Sequence, residues 1–308
     1  MEPETDELTA SRPGTALAFS SLLKTLLSFA LLIAVDYFFF KSWSAVFILV
    51  SVLLIHESGH FAAMKYFGYR AVRMTFVPFM GAFVSGESSH FSKFKRIIVL
   101  LAGPLPGILL GMILLLLYQY NHNQQYYLAA MAFLALNLFN LLPVSPLDGG
   151  QLFETLFIRD NLLIQLLFVV ASILVLGYFA LVFKVWVLVV VMVLAIIRVR
   201  RLYLCYRVRR VLDKMGIGYE GSYEDLTDEQ YAAIRDILVT ESRVLRNKFT
   251  PGEYSAAESS LISYLKIILV PEYDQDLTPF QKTGFILLLI LLLVVPLLQW
   301  LLTRPVVT

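Results

Sequence analysis

Seven stretches of apolar sequence, residues 18–40, 43–64, 97–118, 126–142, 162–182, 185–197 and 284–302, divide this chain of 308 residues. A bilayer core about 30 Å thick takes about 20 mainly apolar residues of helix, at about 1.5 Å each. Every backbone N–H and C=O must also be satisfied inside the lipid, which leaves helices as the solution for runs of this kind. The pattern therefore predicts an all-α polytopic membrane protein with about six to seven transmembrane helices. Only Lys184 separates the fifth stretch from the sixth, which is short, so this pair is either a tight helical hairpin or one bent element. Composition agrees: 58% of residues are hydrophobic and 16% charged, against roughly 45–50% and 25% in soluble domains.

The position of the charges then sets an orientation. The connection after the second stretch carries Lys65, Arg70, Arg73, Lys93, Lys95 and Arg96 against the single acid Glu87. The stretch after the sixth, RVRRLYLCYRVRR, carries Arg198, Arg200, Arg201, Arg207, Arg209 and Arg210. The alternate connections hold Lys41, an uncharged QYNHNQQYY, and Lys184. Basic loops face the cytoplasm, which places the N-terminus inside and the C-terminus outside, in one alternation. With a net charge of +2 and its basic run against a membrane helix, the chain points to lipid headgroups and not to nucleic acid. Cys205 is the sole cysteine, which excludes an intrachain disulfide and a thiolate metal cluster.

Four regions follow. Residues 1–16 read as a disordered polar tail, 17–197 as a membrane core, 198–279 as a basic juxtamembrane stretch with a small helical cytoplasmic segment, and 280–308 as a last transmembrane helix with a short tail. In the cytoplasmic segment, Thr227–Gln230 reads as a capping box. Thr250–Glu253 repeats the pattern with Pro251 at a first helical position, and Pro271 ends that helix. No catalytic constellation stands out there.

The chemistry concentrates in LIHESGH, residues 54–60, at the end of a run from 43 to 55 without a charge. Ionisable groups in a membrane helix are costly and by default functional. His56 and His60 lie four apart, one turn of helix, and two imidazoles so placed converge on a single Zn²⁺. Glu57, about 100° further round, suits a general base that takes a proton from water the ion has acidified. Gly59 leaves room beside the site. Thirteen steps from Trp43 to His56 span about 20 Å, so the site lies within the membrane, roughly 10 Å below its cytoplasmic face.

A catalytic zinc usually takes three protein ligands. His122 falls in an outer loop, and His90 lies on the correct side in a solvated stretch, GESSHFSKFK. The stronger candidate is Asp148 in LNLFNLLPVSPLDGG, where Pro143 and Pro146 interrupt the helix and Gly149–Gly150 allow a tight turn. The same Asp could instead simply cap a cytoplasmic helix through QLFETLF.

HESGH together with NLLPVSPLDGG resembles the site-2 protease family of intramembrane zinc metalloproteases, whose second motif runs N-x-x-P-x-x-x-x-D-G. Asn140, Pro143, Asp148 and Gly149 match it. The resemblance covers about 53–153, with the metal site inside 43–153. It implies one Zn²⁺ held by His56, His60 and Asp148, Glu57 as catalytic acid/base, and Asn140 near the reacting carbonyl. It also implies a transmembrane protein substrate, cut in regulated intramembrane proteolysis. The family's A-G-P-x-x-N pattern departs here, with Gly107 in place of the Asn. Gly103, Gly107 and Gly111 instead form a small-xxx-small ladder for close helix packing.

VRMTFVPFMGAFVSGE, residues 72–87, is β-branched and aromatic, with breaks at Pro78, Gly81 and Gly86. It reads as a re-entrant β-hairpin beside the metal, an edge to which an unwound substrate can add as a strand. Two other classes share the cluster: a metal-binding transporter or proton relay, and a catalytically silent scaffold. A relay needs polar residues across the membrane, and 43–55 offers only Ser44 and Ser51.

Overall fold

The computed structural model describes residues 15–77, 81–87, 91–158, 161–184, 187–221, 223–252, 258–269, 273–274 and 277–303. Pro78, His90, Glu253, Pro271 and the tail 1–14 lie outside the described residues. Helix α1 (Thr15–Phe40) leads into α2 (Trp43–Tyr66) across a two-residue link, and the Ser42 hydroxyl caps α2 by accepting from the Ala45 N–H. Gly68, at φ +76°, ends α2, with the Gly68 and Tyr69 N–H groups donating to the Lys65 and Met64 carbonyls. A side chain there would be strained in the left-handed region, so only glycine makes the reversal without strain.

The chain then forms an antiparallel hairpin of β1 (Arg70–Val77) and β2 (Gly81–Glu87), with Met74 opposite Val84 and Phe76 opposite Ala82. Phe76 of β1 meets Phe29 of α1, with ring centroids 4.8 Å apart. At the two ends of β2, Gly81 faces Leu53 and Gly86 faces Met64. The strand therefore runs along α2 past the whole HESGH turn.

A two-residue strand β3 (Phe91–Ser92) precedes α3 (Lys93–Ala102), capped by Ser92, and α4 (Pro104–Asn121), joined to α3 at Gly103. His122 in the left-handed region and Asn123, whose side chain accepts from the Gln125 N–H, turn the chain into α5 (Gln124–Asn140). Short α6 (Asp148–Phe153) continues as one π-helical turn, Glu154–Ile158. Helices α7 (Leu162–Phe183) and α8 (Val187–Met215) pack side by side, with Lys184 at φ +54° between them. The fifth and sixth apolar stretches are thus a hairpin.

Helix α8 crosses from its apolar start through the arginine-rich stretch without a break until Gly216. Arginine is a good helix former and no Gly or Pro intervenes. The distal part of α8, carrying Cys205, Val208 and Leu212, builds a second core with α9 (Asp228–Glu241), α10 (Arg243–Arg246) and α11 (Glu258–Ile268). The Thr227–Gln230 capping box is present. The helix start expected at Thr250–Pro251 is not: Pro251–Gly252 is a turn and the described helix begins at Glu258. Buried Arg235 explains the difference, because it draws in the Thr250 carbonyl at 3.2 Å while Asp236 accepts from the Gly252 N–H at 3.0 Å. Those bonds fix a turn where the local sequence alone favours a cap.

After β4 (Tyr273–Asp274), which pairs with β3, α12 (Pro279–Thr303) returns through the membrane core. Its first turns touch α3 through Phe285 and Phe94, and its end reaches the far side of α4 and α5, where Gln299 donates to the Met112 carbonyl and Trp300 meets Tyr127. Helix α12 therefore runs parallel to α3–α4. Among the described residues, four helical stretches are long and apolar enough to cross a membrane: Trp43–Tyr66, Lys93–Asn121, Leu162–Phe183 and Pro279–Thr303. The protein is a mostly helical, multi-pass membrane protein with an antiparallel hairpin.

Candidate metal centre

His56, Glu57 and His60 are all buried on α2, at 5%, 6% and 7% exposure. Asp148 arrives from the other side, as the first residue of α6. Residues 141–147 wind closely around this start. A Cβ at Gly149 would lie 2.6 Å from the Leu142 carbonyl oxygen, and one at Gly150 would lie 2.7 Å from the Ser145 nitrogen. Only glycine permits the turn that aims Asp148 back at α2. Leu147 is the N-cap of α6 and no side chain caps it, so Asp148 is not occupied in capping.

The contacts of the two imidazoles place a hydrogen on each Nδ1. His60 Nδ1 lies 2.8 Å from the Val99 carbonyl, which can only accept, so Nδ1 carries the hydrogen. Asn137, fully buried on α5, donates its amide to the Phe133 carbonyl at 2.7 Å, which turns its oxygen towards His56 Nδ1 at 2.9 Å. That nitrogen is therefore also N–H, and in both neutral rings Nε2 is left as a lone pair.

These two lone pairs face each other at 3.1 Å, and both face Asp148 Oδ2, at 3.0 Å from His56 and 3.2 Å from His60. Three such acceptors so close repel unless a metal ion or a proton stands among them. Zinc at about 2.0–2.1 Å from each of its ligands sets tetrahedral ligand atoms about 3.3 Å apart. The observed edges need to open by only a few tenths of an ångström, so the residues present fit a Zn²⁺ with three protein ligands. The grouping of His56, His60 and Asp148 as a possible metal site follows from the same geometry.

Glu57 points off this triangle, within reach of the Val84 backbone N–H of β2. The hairpin edge and the candidate base thus adjoin each other. Asn140 ends α5, one turn beyond Asn137, half-buried and with no side-chain hydrogen bond among the described residues. His122 caps the far end of α4, nineteen residues from Gly103, or about 28 Å along a helix.

The glycines of α2 to α4 meet different neighbours. A Cβ at Gly59 would lie 2.7 Å from the Ala102 carbonyl carbon, so Gly59 brings α2 against the end of α3. Gly103 abuts the His60 ring, Gly107 abuts the Asn137 amide and Gly111 abuts Leu134. At the place where the resembled pattern has an Asn, this chain has a glycine whose vacant volume is filled by the Asn137 amide of the facing helix.

Sequence reasoning missed Asn137. The available signal was an uncompensated amide in an apolar helix, one turn before Asn140. Removing a group that orients a metal-ligating histidine typically costs 10–100-fold in affinity. Asn137→Ala should accordingly weaken zinc binding by about that range, measured by competition with a chromophoric chelator. Unchanged affinity would show that Asn137 only fills space.

Residues 44–123 match the family model Peptidase family M50. Stage IV sporulation protein FB of Bacillus subtilis is 33% identical over 118 residues, covering 38% of this chain and 41% of that protein. A zinc metalloprotease of Methanocaldococcus jannaschii is 28% identical over 120 residues, covering 37% of this chain and 34% of the other. This chain thus spans well under half the length of the two curated relatives. The site-2 protease structure from Methanocaldococcus jannaschii superposes with a TM-score of 0.42 at 20% identity, covering 56% of this chain and 84% of that one.

Proposed function

We propose that the chain is a member of peptidase family M50, a reading supported by the match over residues 44–123 and by the two relatives, and that it is a zinc endopeptidase that cuts transmembrane or membrane-anchored proteins within the bilayer. The observation that carries this reading is the convergence of His56 Nε2, His60 Nε2 and Asp148 Oδ2 at 3.0–3.2 Å beside a buried glutamate. His56, His60 and Asp148 hold one Zn²⁺. When bound, the ion supplies Lewis-acid polarisation of a carbonyl and acidifies water.

The remaining work falls to the chain. Glu57 takes the proton from the attacking water and passes it to the departing amine nitrogen, so one carboxylate serves as base and then as acid. A helical substrate shields its peptide bonds, and β2, running along α2 beside Glu57, offers an edge on which an unwound segment can extend. Asn140 donates its amide to the scissile carbonyl oxygen. Val99, Asn137 and the tight 141–147 turn hold the three ligands against displacement.

The orientation is part of the same reading: the N-terminus and the opening of the site face the cytoplasm. The apolar part of α8, together with α1 and α5, adds to the four long apolar helices to make about seven spans. Substrates of this kind place the protein in regulated proteolysis at the membrane.

The test uses the full chain in detergent with a transmembrane model substrate. Wild type should hold one zinc per chain and cleave. Glu57→Gln keeps every metal ligand, so it should hold the same zinc and lose activity by several orders of magnitude. If wild type holds zinc stoichiometrically and cleaves no better than Glu57→Gln across a broad substrate panel, the protease reading fails and a silent scaffold takes its place.

A further inference from the structure

The loop that delivers Asp148 is held from outside the metal site by an arginine on α8. Arg198 donates Nη1 to the Ser145 hydroxyl at 2.7 Å and pairs through Nη2 with Glu154. Ser145 is fully buried, three residues before Asp148, and Glu154 is 5% exposed, six residues after it. One guanidinium therefore grips both flanks of the segment that starts at the third ligand. From α7, the Ser172 hydroxyl accepts the Ser145 N–H at 3.0 Å. From α3, Arg96 reaches Gln151, which in turn donates to the Pro146 carbonyl at 3.1 Å.

A partly buried ion pair of this kind adds little net stability over an apolar pair, because the desolvation of both partners offsets their attraction, although removing one partner alone is costly. Its planar fork does fix geometry, since two donors in one rigid plane must meet two acceptors at once. The turn between Ser145 and Asp148 has no slack, as the close approaches at Gly149 and Gly150 show. A shift of Ser145 is therefore passed on to the Asp148 carboxylate.

Arg198 also sits on the helix that builds the second core. From Arg198 to Val208 and Leu212, which are fully buried against α9 and α11, is ten to fourteen residues of unbroken helix, or about 15–21 Å. One unbroken helix thus connects the core of the α9–α11 unit to Arg198.

We propose that Arg198 is a positioning residue for Asp148, and that through α8 it makes the helical unit of α9–α11 an input to the metal site. The inference rests on the zinc reading above. The unit then has a regulatory role, since a partner that displaces it alters how tightly the third ligand is held.

The test is made on the full chain in detergent, with metal affinity and spectrum as readouts in place of proteolysis. Arg198→Gln should weaken zinc binding about tenfold by chelator competition, and it should change the visible d–d bands of the Co²⁺-substituted protein, which report ligand geometry. Because that variant takes the arginine away from the buried Glu154 carboxylate, its metal-free melting temperature should fall. Arg198→Gln/Glu154→Gln, which also removes the carboxylate charge, should recover the melting temperature but not the zinc affinity. Arg198→Lys, which can satisfy one acceptor but not the fork, should fall between wild type and Arg198→Gln. Leu212→Ala, in the distal core, should also shift the Co²⁺ bands.

Wild-type affinity and spectrum in Arg198→Gln overturn the positioning role. Zinc affinity that recovers together with the melting temperature in Arg198→Gln/Glu154→Gln overturns it too, by reducing the residue to a structural one. An unmoved spectrum in Leu212→Ala overturns the coupling. A wild-type chain that binds neither metal sinks the zinc reading itself, which keeps the two failures distinct.

Discussion

Gly103→Ala is expected to empty the metal site and abolish activity, although it adds one methyl group to a residue that ligates nothing. The new Cβ would lie 2.5 Å from His60 Cε1 and 2.7 Å from Cδ2, and nearer still to Nε2. His60 cannot step aside. Its Nδ1 is tied to the Val99 carbonyl, and Gly59 holds α2 against Ala102 with no spare distance. The backbone at Gly103 is ordinary right-handed helix, φ −68°, so the substitution carries no conformational penalty of its own. The effect is steric and falls on the ligand. Zinc per chain, by atomic emission after desalting, should drop from one to near zero.

Gly111→Ala is the control on the same helix. Its Cβ would meet both Cγ and Cδ2 of Leu134 at 2.8 Å, atoms of a side chain that can change rotamer. That variant should keep its zinc and lose only modest stability, of order 1–3 kcal/mol for overpacking. Full zinc retention by Gly103→Ala would mean that the close contact with His60 relaxes elsewhere.

The contrast between these glycines shows what the sequence could and could not say. A ladder at 103, 107 and 111 announces close packing, because small residues at that spacing have one common use in apolar helices. It does not announce the neighbour. One rung faces a ligand, one an amide and one a leucine, and those partners come from α2 and α5, far away in the chain. The apolar stretches were legible for the opposite reason. Lipid leaves so few backbone solutions that hydropathy alone marks where helices lie, and each of the seven stretches is mainly helix. The hairpin of β1 and β2 was legible from its β-branched residues and glycine breaks.

Where the expectation failed, at Thr250–Pro251, a buried guanidinium overrode a local capping signal. Asn137 was hidden for a related reason. Its role depends on the Phe133 carbonyl turning its oxygen towards His56, and no one-dimensional pattern records which way an amide points.

Asp148→Asn separates the ligand role of Asp148 from every structural alternative, because the variant keeps the shape of the side chain and removes its charge. Leu147 rather than Asp148 is the N-cap of α6, so the start of that helix does not depend on the carboxylate. The amide of the variant offers two N–H donors where wild type offers an acceptor, and both face lone pairs, His56 Nε2 and His60 Nε2. The metal-free variant therefore keeps partners for both imidazoles, while the zinc-bound form loses its only anionic ligand.

Asp148→Asn should therefore fold, purify without zinc and show no proteolysis. Its melting temperature should not respond to chelator, whereas the wild-type value should fall when the metal is stripped. Stoichiometric zinc in the variant would remove Asp148 from the ligand set. A chelator-sensitive melt would show that its two histidines suffice.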